Sequence, residues 1–290
     1  MKNYINKIKG NLSIYATKKT SNLLDGTHRS MYKGKSMNFD DLREYTTNDD
    51  IKDIDWKASA KSRNLLVKQY VAEKKHNVLF VIDTNKKMLA SSIDYEVKKE
   101  IALMSAGTLG YISIKNNDVV SAIYSTNNGV DFLPFKSRLD NLELALAKCE
   151  SHMNNKNNSN INDVLEFVRK KVANRMIIVI ISDIDGMENI DEKYLKQLTY
   201  KNEVLFVCIS DAYVFGKKVF NLDRNKYLPS FITNSKKLLE DEKKARSELY
   251  RNLERKYKKY RIVCTSINNC KEIPYKIIKL LEGQKYEVRR

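Results

Sequence analysis

Three uninterrupted apolar runs limit what this chain can fold into: NVLFVID at 77–83, MIIVIISD at 176–183 and VLFVCI at 204–209. Each is short, rich in β-branched residues and free of polar alternation, as required of a strand buried on both faces of a sheet. Between them lie segments of helical period. Val97, Ile101, Met104 and Ile112 mark a helix over 93–115; Leu139, Leu142, Leu146, Cys149 and Met153 mark a second; Ile161, Val164, Leu165, Val168 and Val172 mark a third. Buried strands alternating with amphipathic helices predict a doubly wound, mostly parallel α/β sheet. The runs at 119–125 and 130–135 flank Asn127-Asn128-Gly129, a turn sequence, so one edge strand is expected to run antiparallel. Ser137 with Asp140 reads as a capping box at the start of the second helix, with Asp standing where Glu or Gln is usual. Further on, 190–198 and 236–257 read as helices, 261–265 as a last strand and 273–281 as a terminal helix, with 212–234 irregular.

The chain carries 53 Lys plus Arg against 36 Asp plus Glu, a formal net charge of +17, so an acidic partner has to be weighed. Basic residues are interleaved with acids along the whole length and form no stripe, and the abundance of Lys, Asn and Ile is the drift expected of AT-rich coding. A nucleic-acid binder, with seventeen tyrosines available for stacking, is therefore the second reading. Cys149, Cys208, Cys264 and Cys270 form no C-x-x-C pair and read as reduced core thiols. The longest apolar run, at 176–181, is far below the ~20 residues that span a bilayer, and residues 1–25 lack a signal-peptide apolar region. A cytoplasmic protein is expected. Residues 1–20 mix Tyr4, Ile5, Ile8 and Leu12 with five lysines, which predicts a packed N-terminal helix, with peripheral contact to an anionic membrane as its alternative.

Catalytic signatures are missing from the motifs that can be read. YKGKS at 32–36 imitates a phosphate loop, but Arg29 stands where that motif needs its first glycine. His28, His76 and His152 are far apart and none sits at metal-ligand spacing. There is no G-x-S-x-G elbow and no G-x-G-x-x-G fingerprint. The expectation is a non-enzymatic protein without a cofactor.

Residues 26–70 carry a denser pattern: a His-Arg-Ser start, a glycine step, Phe-x-x-x-Arg-Glu-Tyr, an acidic pair and Ile-Asp-Trp-Lys-x-Ser-Ala. It is borne by Arg29, Ser30, Gly34, Phe39, Arg43, Glu44, Tyr45, Asp49, Asp50, Ile54, Asp55, Trp56, Lys57, Ser59 and Ala60. This block resembles the defining segment of the bacterial family called domain of unknown function 58. The resemblance implies a von Willebrand factor A-like domain after the block, and hence three segments: 1–25 basic and helical, 26–76 the family block, and 77–290 the α/β domain. It also implies an interaction role beside a MoxR-type AAA+ ATPase or that ATPase's client. Many members carry membrane helices in front; none is read here, so a short, soluble version is expected. Arg29, Arg43, Glu44, Tyr45, Asp50, Asp55, Trp56 and Lys57 are the candidates either for locking the block in place or for a partner surface. Arg can grip a carboxylate with two parallel hydrogen bonds, which favours the first role.

A-type domains hold a divalent cation at the carboxyl ends of their strands through D-x-S-x-S, a Thr and a later Asp. In this chain the first strand ends Asp83-Thr84-Asn85-Lys86-Lys87, so Asn85 and Lys87 replace the two serines. Ser159 stands for the Thr, with a helix N-cap as its other reading, and Asp183 for the last Asp. The resemblance therefore implies a degenerate site of Asp83, Asn85, Ser159 and Asp183, which argues against bound Mg²⁺. Two converging carboxylates need a counter-charge, and Lys87 is the expected cation substitute.

Overall fold

The computed structural model describes residues 3–15, 33–47, 49–71, 75–171, 174–215, 220–221, 226–227 and 235–288. Its contacts divide the chain into two units, Leu24–Lys75 and the remainder.

In the larger unit a helix α1 (Tyr4–Tyr15) precedes the sheet, whose strands are β3 (Asn77–Ile82), β4 (Val119–Thr126), β5 (Gly129–Phe132), β6 (Ile177–Asp183), β7 (Glu203–Ile209) and β10 (Val263–Ile267). In the smaller unit lie β1 (Lys33–Glu44), α2 (Trp56–Ser62) and β2 (Leu66–Val71). The six strands stand in the order β10-β7-β6-β3-β4-β5, parallel except for the β4–β5 hairpin, which turns at Gly129 with φ of 128°. The fold is thus doubly wound, mostly parallel α/β with one antiparallel edge strand. The chain winds from β3 outward to β5, then returns across β3 to β6, so the switch point lies between β3 and β6. Open α/β sheets bind ligands at the carboxyl ends of such a strand pair.

Helices cover both faces because the strands are apolar on both. Leu79 and Val81 of β3 and Ile178 and Ile180 of β6 face a core with α5 (Ile161–Lys171), α7 (Glu192–Thr199) and α8 (Lys236–Lys259). There Tyr257 is fully buried, and its hydroxyl donates to the carbonyl of Met187, at 2.8 Å, in the short helix α6 (Ile184–Asn189). The other face carries α3 (Lys98–Lys115), α4 (Leu139–His152) and the terminal α9 (Ile273–Val288), with α1 packed across all three. Tyr4, Ile5 and Ile8 of α1 are buried, and Glu143 of α4 accepts the first N–H groups of α1, from Tyr4 and Ile5, each at 2.8 Å. Gly107 makes this docking possible: a Cβ there would lie 2.5 Å from Ile8 Cδ1. Within 212–234 the described residues are 212–215, which are irregular, and the two-residue pair β8 (Phe220–Asn221) and β9 (Lys226–Tyr227).

Three local expectations need correcting. The first helix starts at Lys98 rather than at residue 93, because the preceding residues fold back through a Ser91–Val97 bridge with Tyr95 at φ 65°. Ser137 does not cap α4; the cap position is Arg138, with no side-chain hydrogen bond. The helix expected at 190–198 is α7, which starts two residues later at Glu192, and a separate short helix, α6, that the sequence did not announce ends just before it.

In the smaller unit β1 and β2 pair antiparallel with an irregular register. Asp55 caps α2 by accepting the Ala58 N–H at 3.0 Å, and buried Ser59 ties α2 to β2 by accepting the Leu66 N–H at 2.8 Å.

Candidate functional site: the carboxyl-end crevice

Three acidic strand ends, Asp83, Asp183 and Asp211, converge at the switch point. Asp83 follows β3, its N–H still paired to Ile181 of β6 at 2.9 Å. Its carboxylate is buried. Oδ1 accepts the N–H of Asn85 at 2.9 Å and Oδ2 the hydroxyl of Ser182 at 2.5 Å. Asp183 closes β6 and caps α6, its Oδ1 accepting the Gly186 N–H at 2.9 Å. Gly186 is required by this close approach, since a Cβ there would sit 1.9 Å from Ser182 Oγ and 3.2 Å from Asp83 Oδ2.

The counter-charge comes from Lys98, at the first turn of α3. Its side chain is 2% exposed; its ammonium donates to Asp183 Oδ2 at 2.6 Å and also to Asp211, which follows β7. Burial alone would lower the lysine's pKa, but the charges of Asp183 and Asp211 and their hydrogen bonds outweigh it and hold the group above its ordinary value. Lys98 is therefore an ammonium. Behind it Arg246 of α8 donates to the carbonyls of Asp211 and Ala212 and to Glu242, fixing the loop that carries Asp211. Asp83 lies outside this ion pair, and burial, followed by the charge of Asp183, pushes its carboxyl up to about 6.

Lys87 does not fill the expected role. It lies on the surface, half exposed, with its ammonium on Asp185, because Asn85 caps a 3-10 turn over Lys86–Leu89 that carries the side chain outward. Asn85 is likewise engaged: its Oδ1 accepts the Lys87 N–H at 2.9 Å and its amide donates to the Ser159 carbonyl at 2.7 Å. Ser159 is not the helix cap, since Asn160 accepts the Asn162 N–H at the start of α5. The Ser159 hydroxyl is buried with no hydrogen-bond partner. Asp83, Asn85, Ser159 and Asp183 thus meet in one crevice, but both carboxylates already receive a proton donor on each oxygen. Hard divalent cations need several oxygens free to converge, so this donor set does not fit one. Among the described residues no group of three or more His, Cys, Asp or Glu could hold a metal ion.

In the smaller unit, the family-block residues mostly bind one another. Arg43 grips Asp49 with both terminal nitrogens, one at 2.5 Å, and its Nη1 also donates to the Glu44 carbonyl at 3.0 Å. Glu44 accepts from Asn64 at 2.8 Å, Asp50 caps the 3-10 turn Ile51–Asp53, and Asp55 caps α2 with Lys68 at 3.6 Å. Tyr45 is half-buried, its N–H on the Leu65 carbonyl at 2.8 Å. Lys57 is exposed, and Trp56 is 63% exposed. Arg29 lies outside the described residues.

Strand order, antiparallel edge and acidic strand ends together define a von Willebrand factor A-like domain. The chain matches the family described as Protein of unknown function DUF58 over residues 41–213, and it belongs to that family. Among solved structures it is similar to a conserved hypothetical protein BatB from Bacteroides thetaiotaomicron, at 14% identity and a TM-score of 0.47, covering 73% of this chain and 99% of that one. It is also similar to an aerotolerance-related membrane protein from Bacteroides fragilis NCTC 9343, crystallised with multiple mutations to serines, at 16% identity and a TM-score of 0.45, covering 71% and 98%. A von Willebrand factor type A structure from Catenulispora acidiphila is similar at 9% identity and a TM-score of 0.40, covering 77% and 43%. No curated protein matches the chain. Among the described residues no helix is long and apolar enough to cross a membrane.

Proposed function

We propose that this chain is a non-enzymatic, cytosolic protein-interaction module that works with a MoxR-type AAA+ ATPase in assembling or remodelling a client. The observation that carries the reading is the exposure of Trp56 and Ile51, 63% and 64%, on elements capped by Asp55 and Asp50. Large apolar side chains held on fixed backbone are the groups that anchor interfaces, Trp above all. Arg43, Glu44, Asp49, Asp50 and Asp55 are engaged within the block, which leaves exposed apolar side chains, Trp56 and Ile51 foremost, as the surface proposed for recognition.

The second part of the proposal concerns the crevice. With Lys98 between Asp183 and Asp211, the degenerate adhesion site works without a metal, so partner recognition does not pass through a shared cation. The test is purification of the tagged protein from its native host with and without ATP. Recovery of the ATPase by the unaltered chain, and its loss on Trp56→Ala, is the expected result. No ATPase in either preparation overturns the reading.

A further inference from the structure

A cavity of about 140 Å³ opens between the sheet and α4, near the β5 edge of the larger unit. Phe80 and Ile82 of β3 and Ala122 of β4 line it from the sheet, and Leu142 and Leu146 line it from α4. The hydroxyl of Ser121, also in the lining, is committed to the Leu133 carbonyl. The interior therefore calls for an apolar occupant. Its size is telling, because an apolar cavity of about 150 Å³ takes up a benzene ring.

The rim has a different chemistry. Pro134, Lys136, Leu144 and Lys148 are exposed around the opening, Leu144 by 48%. Among the described residues neither Lys136 nor Lys148 has an ion-pair partner, and the carboxylates of this stretch are engaged elsewhere, Asp140 with Arg138 and Glu143 with the first turn of α1. The start of α4, beside Lys136, adds the positive end of its dipole. An apolar hole is thus ringed by uncompensated positive charge, on a chain of net charge +17.

We infer that this cavity is the docking site for one phenyl-sized side chain of an acidic protein segment, whose flanking carboxylates meet Lys136 and Lys148. Filling the hole restores contacts that its walls lack, and the lysines select the charge of the incoming segment. The surface lies in the α/β domain and does not rest on the role proposed for Trp56.

The experiment titrates the full chain into a fluorescent Glu-Asp-Phe-Asp-Glu peptide and follows anisotropy. Saturable binding is expected, weakening at least tenfold when the peptide's Phe becomes Ala or its acids become Lys. The same loss is expected with Lys136→Glu/Lys148→Glu, which alters only exposed groups, and with Ala145→Leu, which narrows the cavity and is checked for folding by its melt. Equal binding of the Phe and Ala peptides, or unchanged binding by the double lysine variant, overturns the inference. So does saturable binding of decanoate without binding of the peptide, which would assign the cavity to a free acyl chain.

Discussion

The ammonium of Lys98 lies 2.6 Å from the carboxylate of Asp183, and both side chains are almost wholly buried, at 2% and 3% exposed. Removing one partner of such a pair leaves a buried charge uncompensated, and here two carboxylates would be stranded. Lys98→Met should therefore destabilise the fold by about 3–5 kcal/mol in denaturant unfolding. Lys87→Met, at the exposed pair with Asp185, should cost less than about 1 kcal/mol. Equal losses in the two variants would contradict the assignment of the internal cation.

Asp83 makes stability depend on pH with a definite sign. Its carboxyl is pushed up to about 6 in the fold, by burial first and then by the charge of Asp183, against 3.8 in the open chain. Between these values the folded state keeps a proton that the unfolded state has released. The group's contribution to stability is thus greatest below its unfolded value, falls as pH rises through the window to about 6, and is level above it. The fall is about 3 kcal/mol. Asp83→Asn abolishes it, so the variant's unfolding free energy relative to the parent should rise by that amount from the acid to the neutral end. A pH-independent difference would refute the raised value.

Gly186 is held by the site and not by its helix. Its Cβ would fall 1.9 Å from Ser182 Oγ, in the hydrogen bond that Ser182 makes to Asp83. Gly186→Ala should destabilise by about 1–3 kcal/mol as an overpacking change. Adding Ser182→Ala should recover part of that loss, although Ser182→Ala alone is destabilising. Thermal unfolding of the three variants checks this; strictly additive losses would mean that the two residues do not collide.

The sheet was legible because its signal is local: uninterrupted β-branched runs admit little besides doubly buried strands. Asp83 and Asp183 were legible for the same reason, as the polar residues that end those runs. Lys98 was not, since a lysine in Glu96-Val97-Lys98-Lys99-Glu100 reads as a solvated helix start. Its spacing held the missed signal: Lys98, Ile101, Ala102 and Ser105 fall at i, i+3, i+4 and i+7, the inward face of α3, and all four are buried. Asp211 also had a marker, because Ile209-Ser210-Asp211 repeats Ile181-Ser182-Asp183 at the end of the neighbouring strand. Lys87 was favoured because it stands where the adhesion motif has a serine, but the 3-10 turn capped by Asn85 redirects it, and turn geometry of this kind is not written in residue spacing.

A lysine, and not a metal ion, neutralises the carboxyl-end crevice. A thermal unfolding series with Mg²⁺ and Ca²⁺ tests this directly, because a ligand at 100 times its Kd stabilises the fold that binds it by about 2.7 kcal/mol. The unaltered chain should show no divalent-dependent shift beyond that produced by matched ionic strength. A saturable, stoichiometric stabilisation by either cation that disappears with Asp83→Asn or Asp183→Asn would contradict it.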